Sequence, residues 1–179
     1  MPRDRLPILL IPAAALIATL PLILHGASCG HDFDFHILSW LEAAAQFRHG
    51  HLHPLWATTP AYNAGEPRVL FYPPRSWTLG AILGLIIPWS ATPILYTWIC
   101  LTLAGLTAHR LTRTFSTPTP ALIAAVLYLA NPYMLFTAYE RTAYAELLAA
   151  AWLPLLFLAL LKPRPTPLAR TPPLARPGR

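Results

Sequence analysis

The sequence predicts an all-α polytopic membrane protein with four or five transmembrane helices and a large first external loop that carries interfacial helices. Three observations lead there. Of the 179 residues, 55% are hydrophobic and only 11% charged, whereas about a quarter of an ordinary soluble domain is charged. Residues 6–24, 76–108 and 114–139 contain no Asp, Glu, Lys, Arg or His, and 147–161 is a shorter uncharged stretch. About 20 apolar residues cross the hydrocarbon layer as a helix, which satisfies its own backbone groups there. Arg and Lys gather in short clusters beside these stretches, a pattern that marks membrane topology and gives no reason to expect a nucleic-acid partner. Disorder, collagen and a disulfide scaffold are excluded. Cys29 falls in the expected external loop and Cys100 in an apolar stretch, so no bridge between them is expected.

Residues 6–24 form the first span. The run is longer than the apolar core of about 7–15 residues in a secretory signal, and the chain after it stays hydrophobic, so it reads as uncleaved. Gly26 stands where a lipoprotein signal would carry a large aliphatic residue, so Cys29 is not expected to be lipidated. With Arg3 and Arg5 in the cytoplasm, residues 25–75 become the large external loop, which holds most of the acidic residues and histidines.

The stretch 76–108 is too long for one span and too short for two with a turn. Pro88 and Pro93 divide it. Residues 77–87, about 16 Å long as a helix, form a re-entrant or interfacial piece, and 89–108 form the second span. His109, Arg110 and Arg113 then lie inside. A third span, 120–136, leads to a second external loop, 137–146, and a fourth, 147–161, returns to the cytoplasm. Making 77–87 a fifth crossing would place Arg110 and Arg113 outside, against the charge rule. The prolines sit mostly at segment edges, where they mark ends more than kinks. Residues 162–179, rich in Pro and Arg, are expected to be disordered or extended, and residues 1–161 to be one membrane module, read as the N-terminal fragment of a longer protein.

The chemistry is concentrated in the loops. Residues 37–48 read as an amphipathic helix lying along the membrane surface, with Ser39, Glu42, Gln46 and His49 on one side and Ile37, Leu38, Leu41, Ala44, Ala45 and Phe47 on the other. Before it comes His31-Asp32-Phe33-Asp34-Phe35-His36. Asp34 is expected to cap the helix and Asp32 to serve as a general base on a hydroxyl acceptor; capping alone is the plainer alternative. His31, His36, His49, His51 and His53 could ligate a divalent metal, but residues 49, 51 and 53 align their imidazoles only in an extended segment. No metal ligands are assigned, and a divalent metal stays open as a cofactor. Arg68 and Arg75 bracket an apolar Phe71-Tyr72-Pro73-Pro74 run and would attract a lipid phosphate, as anchors or as specific ligands. Glu146 sits at a span boundary, where an ionisable group needs a partner, and Arg141 is the nearest in sequence. If both loops face one compartment, Arg141 and Glu146 can converge on Asp32.

Asp32 with Phe35-His36, then Pro54, Trp56, Asn63, Gly65, Pro67 and Phe71-Tyr72-Pro73-Pro74, and later Tyr139, Arg141, Ala143 and Glu146, together resemble bacterial integral membrane glycosyltransferases of the C superfamily. The resemblance is particularly to membrane proteins labelled 6-pyruvoyl-tetrahydropterin synthase related, although no residue here supports pterin chemistry. The resemblance covers about residues 6–161. It implies transfer of a sugar from a polyprenyl-phosphate donor to an acceptor on the external face of the bacterial inner membrane, with inversion at the anomeric carbon. Asp32 matches the acidic residue that such enzymes place in the first external loop, and Asp34 falls where the pattern is looser. His36, Trp56, Asn63, Arg68, Tyr72, Arg75, Arg141 and Glu146 are the implied substrate-binding residues. Two departures stand out: Arg75 follows the two prolines where the family tends to be apolar, and the many further spans are absent, which leaves two alternatives, a module active as it stands and a truncated one inactive alone. The alternative reading is a noncatalytic membrane protein that binds lipid or a partner helix.

Overall fold

The computed structural model describes residues 6–161. In chain order the elements are α1 (Leu6–His25), α2 (Phe33–Arg48), α3 (Arg68–Phe71), α4 (Pro74–Ile86), α5 (Thr92–Thr112), α6 (Pro118–Leu129), α7 (Pro132–Phe136), a π-helical turn (Thr137–Arg141) and α8 (Tyr144–Leu161). The only extended pairing among the described residues is one bridge between Ala57 and Glu66. The expectations for residues 1–5 and for the tail 162–179 lie outside the described residues.

Four segments are long and apolar enough to cross a membrane: Leu6–His25, Thr92–Thr112, Pro118–Arg141 and Tyr144–Leu161. The protein is therefore an all-α, multi-pass membrane protein. Its helices expose apolar side chains, such as Ile17 and Leu24 on α1 and Leu156 and Leu160 on α8, because lipid rather than water surrounds them. Buried Pro7, Ile11, Ala15, Thr19 and Leu22 form a stripe along α1, and Gly105 on α5 lies where a Cβ would press on Ile11 and Leu129. Without hydrophobic drive between helices in lipid, this close backbone approach supplies the packing.

Contacts along the helices give an up-down order. The Trp98 indole on α5 donates to the Pro12 carbonyl of α1 (3.1 Å), and the Tyr128 hydroxyl on α6 to the Ala150 carbonyl of α8 (2.9 Å). The Tyr96 hydroxyl reaches the Tyr144 carbonyl (3.3 Å), joining the starts of α5 and α8. The end of α1, the start of α5, the π turn and the start of α8 thus share one end of the bundle. On that end α2 packs against α4, where Gly80 makes room for the Trp40 ring. The 13 residues of α4 span only about 20 Å, so it is not one of the four crossings.

Three expectations are corrected. The helix read as 37–48 begins at Phe33, and the expected division of its faces is mixed: Ser39 and Glu42 are buried with Trp40, Ala43 and Ala44, while Leu38 and Leu41 are exposed; Ile37 and Phe47 pack on the core and His49 is exposed, as expected. It packs against α4 through its mixed polar face. Asp32, not Asp34, occupies the N-cap position, and its side chain makes no capping bond; the carboxylate is engaged elsewhere. Residues 137–146 are not an open loop. After a break at Ala130 and Asn131, where the Asn131 side chain caps α7 by accepting from the Met134 amide (3.0 Å), the chain winds on as a π turn, and only Thr142 and Ala143 separate it from α8.

Candidate functional site

The π turn builds the site. Its last residues have no helical N–H to receive, because Thr142 turns left-handed (φ 49°) and ends the ladder, so the carbonyls of residues 139–141 are open to donors from outside the helix, that of Arg141 also taking the Thr142 hydroxyl (2.7 Å). The segment after α1 docks on them. The Ser28 hydroxyl donates to the Tyr139 carbonyl, the His31 amide to Glu140 (3.1 Å) and the Asp32 amide to Arg141 (2.8 Å). Gly30 is required at this approach, since a Cβ would enter the Glu140 carbonyl.

This docking brings Asp32, Arg141 and Glu146 together. Both guanidinium Nη groups of Arg141 donate to Glu146 (2.7 Å each), and Nη2 also reaches Asp32 Oδ2 (3.3 Å). The other Asp32 oxygen takes a hydrogen bond from His31 Nδ1 (2.6 Å), and the Tyr133 hydroxyl donates to Glu146 Oε2 (2.7 Å). The His31 hydrogen bond is the main reason Asp32 lies below the ordinary carboxylate range; partial burial opposes it, and the charges of His31 and Arg141 assist. Asp32 is therefore ionised near neutral pH.

Beneath this rim lies an aromatic floor. His36 is 1% exposed, with its ring 5.6 Å from Phe35, 5.5 Å from Tyr72 and 5.4 Å from Tyr144. Burial drives its pKa down to about 4, against the pull of Asp32 and Glu146, so it is neutral. Its Nε2 has no partner among the described residues. The Tyr72 phenol is raised by burial and by the same two carboxylates. Arg68 places its guanidinium 4.8 Å from the Phe35 ring centre and pairs with Glu66.

The remaining sequence candidates lie apart. Asp34 is exposed in the first turn of α2 and makes no side-chain hydrogen bond among the described residues. Trp56 and Asn63 belong to a separate loop lobe, and neither hydrogen-bonds to the Asp32 cluster among the described residues. The Gln46 amide holds the Trp56 carbonyl (2.7 Å), and Ala61, Tyr62 and Asn63 turn left-handed in succession. Glu42 anchors that lobe by accepting from the Thr58 and Thr59 amides (2.8 Å each) and the Thr58 hydroxyl (3.1 Å). Burial alone would raise the Glu42 pKa, but these bonds together outweigh it and hold the carboxyl low. Arg75 points instead to Trp152 on α8. His49, His51 and His53 are exposed, and no group of three His, Cys, Asp or Glu among the described residues is placed to hold a metal ion.

Sequence reasoning missed His31 as the partner of Asp32, Tyr133 as the partner of Glu146, and Glu42 as a loop anchor. Only the adjacency of His31 and Asp32 was a usable signal. The rim carries two carboxylates against one guanidinium, so it can orient a hydroxyl or a cation more readily than it can hold an unassisted anion. No family model, curated protein or solved structure matches the chain.

Proposed function

We propose that the chain is a membrane module of a glycosyltransferase that moves a sugar from a polyprenyl-phosphate donor to an acceptor on the external face of a bacterial inner membrane, with the start of α1 on the cytoplasmic side. The observation that carries this reading is the meeting of Asp32 with Arg141 and Glu146 across 109 residues of sequence, above the floor of His36, Tyr72 and Phe35. Asp32 takes the proton from the acceptor hydroxyl as that oxygen attacks the anomeric carbon, and the bond from that carbon to the lipid phosphate breaks with its electron pair on the phosphate. An already ionised Asp32 is a weak base, so stabilising the departing phosphate contributes more to the rate. In this reading the phosphate reaches Arg141 by displacing Glu146, which stays on Tyr133.

Sugar transfer by the full chain, with inner-membrane vesicles supplying donor and acceptor, tests the reading. Asp32→Asn is expected to lower transfer by about 10²–10⁴-fold with normal insertion; equal transfer by variant and parent removes Asp32 from the mechanism.

A second reading has its own observation, the complete neutralisation of Arg141 by Glu146 and Asp32. There the trio is a latch in a noncatalytic membrane protein that binds lipid or a partner helix. That reading expects Asp32→Asn and Glu146→Gln to lower the melting temperature, with no transfer by any preparation.

A further inference from the structure

Away from the Asp32 cluster, a cleft of about 420 Å³ opens between the start of α4 and the outer half of α8. Pro73, Pro74 and Ser76 form one wall, Leu148, Ala149 and Trp152 the other, and Arg75 stands at the rim. The walls offer little polarity. The two prolines have no N–H, and the Ser76 hydroxyl is occupied by the Tyr96 hydroxyl (3.2 Å). The charge at the rim is the exception. Arg75 is exposed and forms no ion pair among the described residues, unlike Arg68 and Arg141. Its guanidinium lies 5.2 Å from the centre of the Trp152 ring, a residue about 12 Å along α8 from its start.

A cation beside a membrane-spanning helix is costly without an opposite charge, and an aromatic face answers only part of it. A planar guanidinium above an apolar slot complements an amphiphile whose head is a phosphate and whose body is hydrocarbon. We propose that this cleft is a binding site for a phosphate-headed lipid, the phosphate on Arg75 and the upper chain between the prolines and Leu148. The site shares no lining residue with Asp32, Arg141 or Glu146, and it stands whether or not the chain transfers sugar.

The test titrates the purified full chain in detergent with dioleoyl phosphatidic acid and reads retained lipid by native mass spectrometry. The parent is expected to hold one phosphatidic acid in preference to dioleoyl phosphatidylcholine. Arg75→Gln weakens that binding about tenfold, the loss of one charge-assisted pair, and Arg75→Lys falls between. Ala149→Phe keeps the cation, fills the cleft and also loses the lipid, while millimolar inorganic phosphate displaces none. Binding unchanged in Arg75→Gln or in Ala149→Phe, or displacement by inorganic phosphate, would overturn the proposal. So would a parent chain that runs as a dimer and retains no phosphatidic acid, which would assign the face to a second copy.

Discussion

Protonating His36 would place a charge among Phe35, Tyr72 and Tyr144 with no hydrogen-bond acceptor at Nε2. Its value falls from the ordinary 6.5 to about 4 in the fold, so between those values the unfolded chain binds more protons. Stability then rises with pH across this window, and about 3 kcal/mol is lost as pH falls from 6.5 through 4. Asp32 acts in the same direction at the acid end: its contribution is present above the ordinary carboxylate value and disappears as pH falls through its lowered folded value. Thermal unfolding in detergent between pH 7.5 and 4.5 is expected to show a steep fall in midpoint, and His36→Phe to flatten it. At Gly30 the constraint is steric. Gly30→Ala drives a methyl group into the Glu140 carbonyl and is expected to cost about 1–3 kcal/mol, with faster proteolysis at residues 26–32.

Among the elements, α2 shows why helix existence was legible and helix orientation was not. Polar residues at helical spacing suggest a water-facing side, yet Ser39 and Glu42 are buried, because each has a partner there: the Ser39 hydroxyl bonds back to the Phe35 carbonyl of its own helix, and the loop lobe supplies the Thr58–Thr59 amides for Glu42. Leu38 and Leu41 can stay outside where the surroundings are apolar. The contact that fixes this orientation is Trp40 against Gly80. Gly80→Val is expected to push the indole out and loosen α2 from α4, lowering stability by about 1–3 kcal/mol; the measurable sign is faster hydrogen exchange in α2 with α5 unchanged.

For the whole molecule, the up-down order makes one statement that does not depend on which compartment is which. Residues 31 and 140 belong to one end of the bundle and residue 115 to the other. In a chain lacking Cys29 and Cys100, cysteines replacing His31 and Glu140 are expected to react with an impermeant maleimide from the same side, and one replacing Phe115 from the opposite side; labelling of 31 and 140 from different sides would dissolve the site. A count of four or five spans was legible because apolar length is a property of composition; the four segments long enough to cross, with α4 only 13 residues, settle on the lower number. The meeting of Asp32 with Arg141 was legible only as a shared compartment, since the contact depends on a glycine and a π turn that no short-range pattern announces. Trp56 and Asn63 entered the candidate list through the resemblance, and the tether that holds their stretch to α2 through Glu42 and Gln46 has no local pattern to announce it.

The turn at Thr137–Arg141 also acts as a phase shift between the two halves of the chain. A π turn holds one residue more than the α-helical path it replaces. Deleting one residue there would let the winding run on in α form and rotate the guanidinium by about 100° around the axis. All four spans could remain intact while the pairing with Asp32 vanished, so a one-codon change far from the acidic loop would separate insertion from chemistry.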